Sequence, residues 1–294
     1  LSLEGLPTVT DAVALPAARV WQAGRYLVDL ARPQVMAIVN VTPDSFWEGG
    51  RSPDPADALA SCRAAVEEGA DLLDLGAEST RPGAPPVPVD EELRRLLPVL
   101  EGALALGVPV SVDTRKAPVM VAALAAGADA INDVQALRDP DALEALAAHP
   151  SAGVCLMHMQ GTPESMQVAP TYRDVVDEVV QFLEARVAAA VQAGIARERV
   201  VVDPGFGFGK TVDHNLALWR HLDRLLPLAQ GVLVGWSRKS TLGHLTGRPA
   251  GDRLPASLAA ALASVQRGAR IVRVHDVAAT VDALRVWGRS GLIA

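Results

Sequence analysis

The sequence predicts an α/β fold, a (β/α)8 TIM barrel preceded by a small N-terminal β-hairpin. Three observations predict it. Short Val- and Ile-rich runs alternate with longer Ala-rich stretches of helical character along the chain. Gly69, Gly107, Gly127, Gly153, Gly194, Gly231 and Gly268 each close a helical stretch a few residues before the next apolar run, the punctuation of a helix stop followed by a strand. A length of 294 residues without a break in composition suits one barrel. A doubly wound open sheet shares this alternation, because periodicity alone does not close a sheet.

The elements follow in order. Residues 1–34 form an extension in which Val20 to Val28 alternates about Ala23-Gly24, a hairpin that caps the fold. Residues 35–294 form the barrel. Its expected strands are Val35 to Val39, Leu72 to Leu75, Val108 to Val112, Ala130-Ile131, Val154 to Leu156, Val200 to Val202, Val232 to Val234 and Ile271 to Val274. Expected helices include Pro55 to Glu68, Asp90 to Leu106, Tyr172 to Ala193 and Arg253 to Arg267. Pro98 predicts a kink or break in the second, because proline removes a helical donor.

Composition narrows the function. Half of the residues are hydrophobic, enough for a large core, and the formal charge of −7 counts against a nucleic-acid surface. No apolar run approaches the roughly 18 residues a membrane span needs. Cys62 and Cys155 make no disulfide framework, and no basic residue precedes Arg19, so a cytoplasmic setting is expected.

In a closed barrel all parallel strands end at one face, where ligands bind. The residues at or just after the strand ends are Asn40, Asp74, Asp113, Asn132, His158, Asp203, Ser237, and Arg273 with His275. Asp, Asn and Ser commonly cap the next helix, but Arg and His do not. Two long loops, 41–50 and 76–86, carry Phe46-Trp47 and Arg81 among Gly and Pro, as functional lids do. The run Asp203-Pro204-Gly205-Phe206-Gly207-Phe208-Gly209-Lys210-Thr211 resembles a phosphate loop only at its end. Pro204 stands where a Walker loop needs glycine, and Lys210 where the dinucleotide pattern needs its third glycine.

These residue types point to one chemistry. Asp113, Asp203 and Asn132 suit the N–H groups of a flat heterocycle, with Met157 and Phe208 against its faces. Arg81, Lys239, Arg273 and His275 form a separate cationic group fit for phosphate or carboxylate. Asn40, with Asp44 or Glu48, offers oxygens to Mg2+. No Cys/His spacing marks zinc, and no nucleophile elbow is present. The set fits a substitution in which phosphate leaves and the protein supplies position and charge. His158, between Met157 and Met159, reads as a near-core histidine, and Asp74 and Asp133 as ties between loops.

At this point Met36 to Phe46, Asp74 to Gly83, Ser111 to Thr114, Ile131 to Asp133, Leu156 to Gly161, Asp203 to Lys210, Ser237 to Ser240 and Arg273 to Asp276 resemble, in order, the signatures of the dihydropteroate synthase family. The resemblance implies condensation of 6-hydroxymethyl-7,8-dihydropterin diphosphate with 4-aminobenzoate. By the family pattern Asp113, Asn132, Asp203 and Lys239 hold the pterin, while Asn40, Arg273 and His275 hold the diphosphate and its Mg2+. Thr80, Arg81, Pro82, Phe208, Ser237 and Lys239 shape the aminobenzoate site. Asp113, Lys239 and Arg273 carry the catalysis, a homodimer is implied, and sulfonamides are expected to compete with aminobenzoate. The chain departs from the pattern at Trp47-Glu48, where Ser-Asp is usual, at Ala77, where glycine is usual, and at Trp236, where a smaller residue is common. A pterin-binding methyltransferase, a Schiff-base aldolase using Lys239 and a binding-only homologue are the rival readings.

Overall fold

Strand alternation sorts the apolar residues of this chain onto the two sides of one closed sheet. The computed structural model describes residues 19–42 and 55–290. An antiparallel hairpin comes first, β1 (Val20–Ala23) and β2 (Tyr26–Asp29). The barrel strands are β3 (Gln34–Asn40), β4 (Leu72–Gly76), β5 (Val110–Asp113), β6 (Ala130–Asp133), β7 (Gly153–Met157), β8 (Val200–Asp203), β9 (Leu233–Val234) and β10 (Ile271–Val274). They pair in parallel in the order β8-β7-β6-β5-β4-β3-β10-β9. A parallel bridge between Val202 and Val232 joins β8 to the run entering β9, which closes the barrel and excludes the open sheet.

Helices α1 (Pro55–Glu67), α2 (Val89–Ala103), α3 (Ala117–Ala125), α4 (Ala142–Ala148), α5 (Val175–Gln192), α6 (Val212–Arg220), α7 (Ser240–Thr246), α8 (Leu254–Gln266) and α9 (Val277–Arg289) surround it. Outward residues such as Val35, Ala37, Val39, Leu73, Leu75, Val110 and Val112 pack against this ring in the larger core. Their inward neighbours Met36, Leu72, Ala130, Cys155, Val201, Leu233 and Ile271 form a second core inside the barrel. Trp21, Val28 and Leu30 of the hairpin region join that inner core from below, and Trp21 Nε1 donates to the Arg199 carbonyl at 2.9 Å. The hairpin is thus a plug under the strands' N-terminal ends.

Two of the expected helix-stop glycines serve the plug instead. Gly69, Gly107, Gly127, Gly194 and Gly268 have positive φ, as helix ends need. Gly153 and Gly231 do not: a Cβ at 153 would lie 2.9 Å from the Trp21 ring, and one at 231 would lie 2.8 Å from Leu30. Pro98 does not break its helix. The α2 segment runs through it, held by buried Leu96, Val99 and Leu100, and ends in a short 3-10 turn over Leu104–Leu106. No helix among the described residues is long and apolar enough to cross a membrane.

Candidate active site

The alternation that buries Leu72, Ala130, Val201 and Ile271 in the barrel returns two residues later on the same face. It therefore places Asp74, Asn132, Asp203 and Arg273 above the apolar plug, with Asp113 and Met157 beside them. These groups touch. Arg273 Nε donates to Asp74 Oδ2 at 2.5 Å, and Nη2 donates to Asp113 Oδ2 at 2.7 Å. Asn132 Nδ2 donates to the same Asp74 oxygen at 3.0 Å. Gly76 pairs with Asp113 across the ladder, and a side chain at 76 would begin 3.5 Å from the Asp113 Cβ, so the glycine keeps that flank open.

Electrostatics follows from burial. Loss of water pushes the Asp113 carboxyl up; Arg273 opposes this, and Asp74, Asp133 and Glu92 add to the upward push. Burial raises Asp203 to about 6 against the Gly205 amide, 2.6 Å from its Oδ1, and against Lys239. Burial and Arg273 lower Lys239 to about 8, while Asp203 and Asp113 hold it up. Burial works against the Arg273 charge, yet Asp74 and Asp113 keep this guanidinium above its ordinary value. Burial, Arg238 and Arg273 lower His275 to about 4. His275 is therefore neutral at pH 7, which corrects its place among the expected cations; it offers a ring nitrogen, 3.0 Å from Ser237 Oγ. Nor is the cationic group separate from the carboxylates, since Arg273 is bonded to Asp113.

The loop after β8 builds one wall. Lys239 Nζ lies 4.1 Å from the Phe208 ring centroid, a cation–π contact. Phe208 packs on Val134, Met157, Met159 and Met166. Gly207 leaves room for this: a Cβ there would sit 3.3 Å from Lys239 Cδ. Lys210 braces the loop from within. Its Nζ reaches the carbonyls of His158, Gly205 and Phe208 at 3.2, 3.0 and 3.0 Å and His158 Nδ1 at 2.9 Å. Thr211 caps α6 in a capping box with His214. The phosphate-loop reading of this segment is therefore excluded. Asn215 Oδ1 and Gln167 Nε2 clasp the backbone of Gly207 at 2.9 and 2.6 Å.

The loop after β4 is anchored at its base. Glu78 accepts from Arg115 Nε at 2.9 Å, Lys116 Nζ at 2.8 Å and the Val87 amide at 2.8 Å. Glu92, fully buried in α2, takes the Thr114 hydroxyl at 2.7 Å and Lys116 at 2.5 Å. Further out, Gly83 N donates to the Pro163 carbonyl at 3.1 Å, which ties this loop to the one after β7. Arg81 and Pro82 stand exposed on it beside a half-buried Thr80. Asn40 ends β3, half-buried. Asp44, Glu48, Phe46 and Trp47 lie outside the described residues.

Some of these residues escaped the sequence reading. Asp74 stands among the expected strand-end residues but is no tie between loops: it lies inside the barrel, two residues after the inward Leu72. Asp133 does tie a loop, accepting from the Gln135 and Leu137 amides. His158 is buried, as expected of a near-core residue. Glu78 and Glu92 are set by partners distant in sequence, Arg115, Lys116 and Thr114, and no local signal marks them. Trp236 faces the outer core and stacks on Phe206, with centroids 4.1 Å apart at 23°.

Comparison with known proteins agrees with this arrangement. The family described as pterin binding enzyme matches residues 36–275. The dihydropteroate synthase of Neisseria meningitidis serogroup B is 53% identical over 282 residues, 94% of this chain and 99% of that protein. The crystal structure of the Xanthomonas albilineans enzyme of that name with 4-aminobenzoic acid is 52% identical with a TM-score of 0.88, covering 94% of this chain and 100% of that one. That of Burkholderia cenocepacia complexed with 7,8-dihydropteroate is 51% identical with a TM-score of 0.85, covering 93% and 96%. With motif order, barrel and mouth in agreement, the chain belongs to the pterin-binding enzyme family, among its dihydropteroate synthases, and is a transferase of pterin groups.

Proposed function

We infer that the chain joins 6-hydroxymethyl-7,8-dihydropterin diphosphate to 4-aminobenzoate, releasing 7,8-dihydropteroate and diphosphate. One observation carries the reading beyond family membership: Arg273 bonds Asp113 while Lys239 lies within the field of Asp113 and Asp203. Groups that suit the donors of a heterocycle thus stand against groups that suit an anionic leaving group.

In this proposal Asp113, Asn132 and Asp203 accept from the pterin edge, and Met157 and Phe208 cover its faces. Arg273 and Lys239 draw off the diphosphate as the methylene C–O bond breaks. His275, neutral, contributes a hydrogen bond. The methylene carbon then carries cationic character, which the Asp113 carboxylate offsets through the ring. The arylamine attacks that carbon, the new C–N bond forms, and an amine proton is lost to solvent or diphosphate. Thr80, Arg81 and Pro82 are assigned to the aminobenzoate, with Arg81 paired to its carboxylate and Ser237 and Lys239 at the opposite wall.

Mg2+ is part of the proposal. Among the described residues no cluster of three His, Cys, Asp or Glu is placed to hold a metal ion. A diphosphate-bound Mg2+ keeps several waters and needs only one or two protein oxygens. Asn40 supplies one such oxygen, and Asp44 or Glu48 would supply another. Bound there, the ion would neutralise diphosphate charge. The proposal also includes a second copy of the chain, packed through the apolar helices α8 and α9, on which Leu254 and Val286 are exposed. It includes a cytoplasmic setting, supported by Cys62 and Cys155 as free thiols.

The test is to incubate the purified chain with pterin diphosphate, labelled 4-aminobenzoate and Mg2+. Labelled pteroate and one diphosphate per turnover are expected, and a sulfonamide should raise the apparent KM for aminobenzoate at unchanged kcat. Absence of labelled pteroate would favour the binding-only homologue.

A further inference from the structure

A single carboxylate oxygen joins the two halves of the mouth. Asp74 is fully buried in β4, and its Oδ2 alone receives both Arg273 Nε, at 2.5 Å, and Asn132 Nδ2, at 3.0 Å. Its Oδ1 is buried without a hydrogen-bond partner. An ion pair selected only for stability would satisfy both oxygens, because a buried unpaired acceptor is unfavourable. Two consequences follow from donor identity. An Asn132 amide that gives its nitrogen to Asp74 presents Oδ1, an acceptor, on its other side. The guanidinium is a rigid plane, so with Nε on Asp74 its Nη2 changes partner only if the whole group rotates about that bond, and Nη2 now sits on Asp113 Oδ2 at 2.7 Å.

That contact places Arg273 on an oxygen the heterocycle needs. A ring N–H that approaches Asp113 Oδ2 competes there with Arg273 Nη2, and an anion that draws Nη2 away removes that competition. Asp74 lies deeper than either group and does not have to move. We propose that Asp74 is the positioning residue of this mouth: it sets which end of the Asn132 amide meets the heterocycle, and it is the pivot on which Arg273 swings from Asp113 to the anionic end of the substrate. Occupation of the anion half then opens the heterocycle half, so the two are coupled. The inference rests on the pterin reading for its ligands, not on turnover.

Calorimetry on the full chain tests it with two fragments, a bare hydroxymethyl-pterin and inorganic diphosphate. Diphosphate should tighten pterin binding by about fivefold or more. In Asp74→Asn each fragment should bind more weakly and the coupling factor should fall to near one. Coupling that survives intact in a folded Asp74→Asn protein would overturn the pivot, as would its absence from the unaltered chain. Should Asp74→Asn not fold, arginine-selective NMR of the unaltered protein decides, with the Arg273 signal assigned through Arg273→Lys. The Nε–H resonance should persist when diphosphate is added, and its loss would refute a fixed Asp74 anchor. Turnover is scored apart: coupling without pteroate formation would sink the proposed reaction and leave the pivot standing.

Discussion

Asp113 and Arg81 sit at opposite extremes of burial within one proposed site, and their substitutions should be distinguishable. Asp113 is bonded to Arg273 in a buried barrel mouth, whereas Arg81 stands on an exposed loop. Asp113→Asn keeps the shape but loses the charge that offsets a cationic methylene, so kcat should fall, by about 100-fold or more on the scale of a lost electrostatic stabiliser. Arg81→Ala removes one ion pair to the aminobenzoate carboxylate. It should raise the KM for aminobenzoate by about tenfold, on the roughly 1.5–3 kcal/mol of a charged hydrogen bond, with pterin diphosphate affinity almost unchanged. Steady-state kinetics with each substrate varied in turn separate the two, and equal effects of Arg81→Ala on both substrates would refute its assignment. At this scale the sequence was readable wherever residue type decides the role. It misjudged the charge state of His275, because protonation depends on burial and on Arg238 and Arg273 close by.

The element that most constrains the site is the loop between β8 and α6. Its glycines were legible as a place of close backbone approach. What they approach was not, since the neighbour is another loop. Gly205 has φ +66°, and a Cβ there would overlap the His158 carbonyl oxygen. Gly205→Ala should therefore destabilise the protein by about 2–4 kcal/mol, combining left-handed strain with a backbone clash. It should also weaken pterin binding, because Phe208 and Lys239 share this wall. Denaturant unfolding and pterin calorimetry check both effects; a neutral substitution would show that the loop is not held in this form. Lys210 was equally opaque in sequence, since Gly-Lys-Thr reads as a ligand-facing end until its ammonium is seen to brace the loop from inside.

Across the whole molecule, the two ends of the barrel answer to different demands. The lower end is apolar and plugged by Trp21, so Trp21→Ala should lower stability by about 3–5 kcal/mol in denaturant unfolding. Turnover at 25 °C should change little, as expected for the barrel face opposite the site; a large loss of kcat in folded protein would contradict the plug role. The upper end buries charge, which makes stability depend on pH with two signs. Burial raises Asp203 and Asp133 to about 6, so the native state binds extra protons between their ordinary 3.8 and about 6, and stability falls as pH rises through that window. Burial lowers Lys210 and Lys239 to about 7 and about 8, so the unfolded chain binds more protons from there up to 10.5, and stability rises again. Burial lowers His275 to about 4, so the unfolded chain binds its proton up to about 6.5 and opposes the carboxyl effect in that window; the signature left is the lysine rise, and Tm of the ligand-free protein should increase between about pH 7 and 9. Inorganic diphosphate, by pairing with the mouth cations, should make this rise shallower. Thermal unfolding at a series of pH values with and without diphosphate measures this, and a Tm that is flat or falls between pH 7 and 9 without ligand would argue against the buried lysines.

By itself the sequence determined eight strand–helix units, the hairpin before them and most of the residues at the strand ends, because period-two alternation and turn chemistry are local properties of the chain. Tertiary structure alone decided that the barrel closes through Val202 and Val232, that the hairpin plugs it from below, and that Asp74 joins Arg273 to Asn132. Each of those facts is a contact between residues far apart in sequence. Burial then set which of the gathered groups carry charge, and burial is a property of the packed molecule that no single stretch of chain contains.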